Sequence, residues 1–135
     1  MWAMSAKRQP ENLKPHERLQ AWVACHELAL MVYRHSGHWP AGEKYGLTAQ
    51  ARRAAYSAAA NIAEGAAKRG IKEYRRHLNV SIGSLAEVAY ALQLARDLGY
   101  MSQDQWGETE ALRDHAGRHT WGLYHALGRR AAVSS

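Results

Sequence analysis

A chain of 135 residues, 47% apolar, with one cysteine and a formal charge of +6, fits a single domain that buries about two-thirds of its unfolded surface. That composition excludes wholesale disorder, the lone Cys25 excludes an intrachain disulfide or a cysteine-based zinc site, and no run approaches the ~20 apolar residues of a membrane span. An isoelectric point near 9.7 favours acidic partners such as nucleic acid or an anionic surface. The opening Met1-Trp2-Ala3-Met4-Ser5-Ala6-Lys7-Arg8 lacks the apolar stretch of a signal peptide, so a cytoplasmic location is the expectation. Phenylalanine is absent, β-branched residues are scarce and helix formers dominate, which is an all-α composition.

Residues 1–16, with Gln9-Pro10 and Lys14-Pro15, show no periodicity and read as a flexible arm. A first helix is expected from about Glu17, with Leu19, Trp22, Val23, His26, Ala29, Leu30 and Tyr33 on one face, widened by Cys25, Leu28 and Val32. It should end at Ser36-Gly37, the glycine taking a left-handed cap. His38 to Tyr45 reads as a loop, with Trp39 folded over the bundle end as an anchor.

Thr48 is the natural N-cap of a second helix, which should close at Gly65. Its stripe of Leu47, Ala51, Ala54, Ala58, Ile62 and Gly65 is mostly methyl-sized, so a neighbouring helix can approach closely. Along one edge runs a polar row, Gln50, Ser57, Asn61 and Glu64, which needs hydrogen-bond partners wherever packing covers it.

A third helix is expected from Ile71 to Leu98, with Gly99 as terminator. One stripe holds Ile71, Tyr74, Leu78, Ile82, Leu85, Ala89 and Leu92; another holds Val80, Ser84, Glu87, Ala91, Leu94 and Leu98. A helix apolar on two sides in a four-helix domain implies contact with another subunit through Val80, Ala91, Leu94 and Leu98. A fourth helix begins at a capping box, Ser102 with Gln105, braced by Met101 and Trp106 as a hydrophobic staple. Leu112, Ala116, Thr120, Leu123 and Leu127, joined by Trp121 and Tyr124, form its inward stripe. Gly107, Gly117, Gly122 and Gly128 weaken it, and residues 131–135 should fray, leaving a bundle over 17–130. The expected architecture is an up-down-up-down antiparallel four-helix bundle.

Chemistry-bearing patterns are sparse. His115 and His119 lie one turn apart, two turns after Glu108, but no further ligand is fixed and no metal or cofactor is expected. Cys25 and His26 are neighbours pointing about 100° apart, and neither Ser57 nor Ser84 has a histidine within reach along its helix, so no enzyme is expected. No phosphate loop or small-molecule substrate motif is present. Glu87, inside an apolar stripe, either pairs with Arg52 or Arg53, oriented by Ser84, or sits at the rim in water. Buried and paired, its removal would cost about 3 kcal/mol or more. Lys68, Arg69, Lys72, Arg75 and Arg76 cluster at the junction of the second and third helices and are the candidate nucleic-acid contacts; Arg118, Arg129 and Arg130 suggest a second basic zone. The interleaved exposed aromatics of a single-strand stacking platform are not evident in the pattern.

Glu43-x-Tyr45-Gly46-Leu47-Thr48-x-Gln50-x-Arg52-Arg53, Ser57-x-x-x-Asn61-Ile62-Ala63-Glu64-Gly65 and Gly83-Ser84-Leu85-x-Glu87 resemble the four-helix-bundle proteins encoded in bacterial 23S rRNA intervening sequences. The same fold family includes the accessory variability determinant of diversity-generating retroelements. The likeness spans roughly residues 18 to 128; Tyr56 and the alanines at 58–60 stand where the family often has valine, proline or serine. The resemblance implies a short-looped bundle assembling as a homopentameric ring and, for the retroelement members, a basic surface engaging RNA or DNA and a reverse transcriptase. Gln50, Arg52, Arg53, Ser57, Asn61, Glu64, Ser84 and Glu87 carry over as structural positions. The expected function is that of a non-enzymatic, ring-forming accessory protein for nucleic acid or ribonucleoprotein. The alternative is a structural oligomer that binds a protein partner.

Overall fold

The computed structural model describes His16 and residues 19–134. The arm expected over residues 1–16, His16 apart, and the helix start at Glu17 lie outside the described residues, as does Ser135. Four helices follow one another: α1 (Gln20–Ser36), α2 (Leu47–Ala67), α3 (Ile71–Asp97) and α4 (Gln103–Ser134), with a short 3-10 turn at Ala41–Glu43. Each packs on its neighbours around the bundle, α2 on α3 most extensively, and α4 closes back on α1. Short connections force successive helices to run antiparallel, giving the expected bundle. No described helix is long and apolar enough to cross a membrane.

Local signals set several boundaries. Gly99 ends α3 in the left-handed region at φ 81°, a conformation open to glycine at little cost. Ser102 and Gln105 form the capping box reciprocally: the Gln105 amide donates to Ser102 Oγ and the Ser102 amide to Gln105 Oε1, each at 3.1 Å. Trp39 is buried over the loop end of the bundle, 6.4 Å from the ring of Tyr100.

Three expected boundaries differ. Gly37 keeps right-handed geometry at φ −62°, because backbone bonds to Tyr33 and His35 already satisfy the end of α1. Thr48 does not cap α2. The Leu47 amide donates instead to Glu43 Oε1 at 3.0 Å, and Thr48 lies buried within the first turn. Glu43 is doubly held, since Tyr100 Oη donates to its Oε2 at 2.8 Å; the Leu47 bond first and the Tyr100 bond second lower its pKa. Nor does Gly65 end α2. The helix runs on to Ala67, and Gly65 is buried where α2 meets α3.

Helix rotation also departs from the expected faces. On α1 the buried apolar residues are Ala21, Ala24, Cys25, Leu28, Met31 and Val32, whereas Tyr33 is exposed and Trp22, His26, Ala29 and Leu30 are half-buried. The flank of the stripe is therefore its centre. On α3 the buried arc takes in Leu78, Leu85 and Leu92 of the first stripe and Ser84 and Ala91 of the second, and joins them through Ser81, Val88 and Ala95. Trp121 of α4 points outward, while Leu112, Ala116, Thr120 and Leu127 face the core as expected. α4 stays helical past the expected bundle limit at residue 130.

The alanine-rich stripe of α2 is wholly buried at Ala51, Ala54 and Ala58, and Gly65 completes it. A Cβ on Gly65 would lie 3.0 Å from His77 Cβ and from Tyr74 Cδ1, and 3.2 Å from the Tyr74 carbonyl. Gly65→Ala should therefore lower stability by about 1–3 kcal/mol, the overpacking cost exceeding the ~1 kcal/mol helix-propensity gain. Gly122→Ala, where nothing lies within 4 Å, should raise it by about 0.5–1 kcal/mol. Urea denaturation of the two variants checks the opposite signs.

Candidate functional site

Two features stand apart from the apolar core: a polar seam between α2 and α3, and a basic end where those helices turn. Along the seam Ser84 Oγ donates to Ser57 Oγ at 2.8 Å, and Asn61 Nδ2 donates to Ser57 Oγ at 3.2 Å and to the Ser57 carbonyl at 2.9 Å. Asn61 Oδ1 is left to accept from His77 Nδ1 at 3.1 Å, with Glu64 Oε2 3.7 Å from the same nitrogen. With Asn61 presenting its carbonyl oxygen, His77 donates through Nδ1, and its Nε2 is buried without a hydrogen-bond partner among the described residues. Ser81 Oγ donates to the Ala58 carbonyl at 2.8 Å, tying the two helices once more.

The polar row is thus a cross-helix network, but Gln50 is not in it. Gln50 Oε1 accepts from Arg53 Nη2 at 2.9 Å, and the same nitrogen reaches Glu87 Oε2 at 2.9 Å. Arg53 and Glu87 are 57% and 55% exposed, so Glu87 pairs with one of the expected arginines yet sits in water. The expected large cost of removing it is corrected accordingly, because solvent screens the pair. Ser84 does not orient it. Arg52 goes elsewhere: Nε donates to Ser36 Oγ at 2.8 Å, Nη2 to the Tyr33 carbonyl at 3.1 Å, and the guanidinium stacks 4.7 Å from the Tyr33 ring centroid. The adjacent arginines divide their work, Arg52 binding α1 and Arg53 binding α3.

At the basic end Lys68, Arg69, Lys72 and Arg76 are exposed. Arg76 pairs with Glu73, whose carboxyl it holds below the usual range, first through the hydrogen bond and then through its charge. Arg75 is structural: Nε donates to the Tyr124 carbonyl at 3.1 Å and the guanidinium lies 3.9 Å over the Tyr124 ring. It also fills the space that a Cβ on Gly128 would need, 2.8 Å from its Nη2. That contact brings the C-terminal part of α4, with exposed Arg129, to the same end as the α2–α3 turn. The two basic zones expected from the sequence therefore meet there, except that Arg118 is ion-paired with Asp114 further up α4.

Cys25 is buried, and desolvation pushes its thiol up to about 12, against a small opposing effect of the Thr120 hydroxyl at 3.8 Å. His115 and His119 pack edge to face with centroids 4.4 Å apart. Burial first, then the charges of His115 and Arg118, lower the pKa of His119. Among the described residues no cluster of three ligand-type side chains is placed to hold a metal.

The family model of the 23S rRNA-intervening sequence protein matches residues 17–121. The chain belongs to that family. A crystal structure of a protein of unknown function from the S23 ribosomal protein family of Bacteroides thetaiotaomicron superposes with a TM-score of 0.70 at 17% identity. The superposition covers 77% of this chain and 97% of that one, and at such identity it shows the shared fold alone. No curated protein matches. Within this intervening-sequence bundle, the motif residues Ser57, Asn61, Glu64 and Ser84 gather on the α2–α3 seam, while Gln50, Arg53 and Glu87 form a second group nearer the other end of α2. Val80 and Leu98 are exposed on the outer face of α3, Leu94 is half-buried, and Ala91 lies in the protomer core at the floor of a groove.

His77 is the residue that sequence reasoning missed in the network. The sequence places it two turns from Ser84 along α3, but its partner is Asn61 on α2. Its place beside the glycine of the Asn-Ile-Ala-Glu-Gly run is visible only once the helices are paired. Asn61→Ala should cost about 1–3 kcal/mol by leaving the buried His77 N–H without an acceptor. Glu87→Ala should cost less than about 1 kcal/mol. Chemical denaturation of both variants gives the ranking, and a larger loss for Glu87→Ala would contradict it.

Proposed function

We propose that this protein is a non-enzymatic, ring-forming accessory factor that holds nucleic acid or a ribonucleoprotein at the basic end of its bundle. The observation that carries this reading is the convergence of exposed Lys68, Arg69, Lys72 and Arg76 with Arg129 of α4 at one end of the molecule. Such a cluster attracts phosphates and releases their counterions, and repetition around a ring multiplies the effect. Support for self-association comes from the outer face of α3. Leu47, Tyr90, Ala91, Leu94 and Leu98 line an apolar groove of about 660 Å³ rimmed by Glu43, Gln50 and Glu87, and Val80 and Leu98 stand 44% and 51% exposed beside it. An open apolar groove with a polar rim suits the apolar face of a partner. We take the assembly to be a homopentamer, the state the family resemblance implies.

Static light scattering at micromolar concentration should give about five times the 15.1 kDa protomer mass. Val80→Glu with Leu98→Glu should shift it to smaller species, and a wild-type monomer would reject the ring. Fluorescence anisotropy with mixed-sequence RNA and DNA should show affinity that falls steeply with salt. Charge reversal at Arg69, Lys72 and Arg76 should weaken binding and flatten the salt slope without changing the assembly. Failure of the wild type to bind tighter than ~100 μM at low salt would favour a structural oligomer docking a protein partner through the α3 groove.

A further inference from the structure

Helix α4 carries an exposed stripe that core packing does not use. Arg118, Trp121, His125 and Arg129 follow at steps of three, four and four, which places them on one helical face. All four are exposed, Trp121 by 46%. Two exposed aromatic rings, Trp121 and His125, therefore lie between two arginines along this helix, contrary to the expectation from the sequence pattern that no such interleaving is present. The misreading arose from placing Trp121 in the core.

The indole is open but held in one orientation. His125, one turn onward, stacks on it with centroids 5.1 Å apart and planes 18° from parallel, and Tyr124 meets it edge-on at 5.8 Å and 82°. Tyr124 is itself clamped by Arg75. One turn back along α4, Gly117 and Arg118 join Trp121, Ile82 and Ala86 in lining a groove of about 270 Å³ between α3 and α4. Gly117 contributes only backbone to that groove, and a Cβ there would meet Arg113 Nη1 at 3.6 Å, an ordinary contact. Arg118 stands at the groove with its Nε on Asp114 Oδ2 at 3.1 Å, which leaves its terminal N–H groups to reach a phosphate or a base edge.

We propose that this groove takes an unpaired base of a single-stranded nucleic acid, stacked on the Trp121 indole, with the flanking phosphates led by Arg118 and Arg129 toward the basic end. The proposal rests on the nucleic-acid reading above and adds a preference for single strands. Any base offers a π-face to an aromatic platform, whereas a duplex hides those faces in its own stack. A duplex can still meet the lysines and arginines of the bundle end, through its backbone alone. The α3–α4 groove meets the apolar groove of the outer α3 face at Ala86, and Trp121 and Arg118 stand on its far side, on α4.

Anisotropy titrations of the full chain with oligo-U, oligo-dT and a blunt duplex of equal length test this, using Trp121→Ala and Trp121→Tyr beside the wild type. Trp121→Ala should weaken binding of the single strands about tenfold or more, with the salt slope and the duplex affinity unchanged. Trp121→Tyr should restore most of the loss. Oligo-U and oligo-dT bound alike means the base stack is recognised; a preference for oligo-U means the 2′-hydroxyl adds to it. Quenching of indole emission by oligo-U, diminished in Trp121→Tyr, is a second readout that does not need the alanine variant to fold. Salt-dependent binding by the wild type that Trp121→Ala leaves intact, or an equal loss for duplex and single strand, overturns the stacking site while the basic-end reading stands. No binding of any probe overturns both.

Discussion

The close approach of α2 to α3 is the constraint on which the other features depend. It is made by absent bulk: Ala51, Ala54 and Ala58 on α2, then Gly65 at the point where His77 and Tyr74 of α3 press closest. Helices brought together over methyl-sized side chains leave little water between them, so each polar group on the seam must be answered from across it. Ser81 reaches the Ala58 carbonyl, Ser84 reaches Ser57, and His77 reaches Asn61. Steric closeness and hydrogen bonding are here two aspects of one arrangement, because widening the seam by a methyl group would stretch the bonds as well as the contacts.

That seam also sets the rotation of α3. With Leu78, Ser81, Leu85, Val88 and Leu92 turned toward the other helices, the Val80–Leu98 side is carried outward and left apolar. Ile82 and Ala86 reach the groove shared with α4. Arg75 is brought beside Tyr124 and Gly128, which fixes where α4 lies and gathers the basic residues at one end. The apolar outer face of α3, the groove beside Trp121 and the cationic end are all placed by how α3 sits against α2.

The arginines show how position rather than charge decides a role. Of five cations in the helix-junction cluster, Arg75 is bound into the fold and Arg76 is paired with Glu73, while Lys68, Arg69 and Lys72 face solvent. Arg52 and Arg53 are neighbours in the chain yet serve different helices, since successive side chains leave a helix about 100° apart. A run of like residues is thus several sites.

By itself the amino-acid sequence determined the four helices, their antiparallel order, the capping box at Ser102, the stop at Gly99 and the burial of Trp39. These follow from interactions within a few residues or from strong periodicity, which a linear reading contains. The polar row of α2 and the close-packing character of its alanine stripe were legible for the same reason. Only the tertiary structure decided that Glu43, not Thr48, caps α2 and that Gly65 is a contact point rather than an end. It also decided that Glu87 lies in water, that His77 completes the network and that Trp121 faces outward. Each depends on how far a helix is rotated about its own axis and on what the next helix presents. Where the apolar residues spread beyond one narrow face, as on α1 and α3, the periodicity is satisfied by several rotations. Contact with the neighbouring helices selects among them, turning Leu28, Met31 and Val32 of α1 and Leu78, Leu85 and Leu92 of α3 into the core.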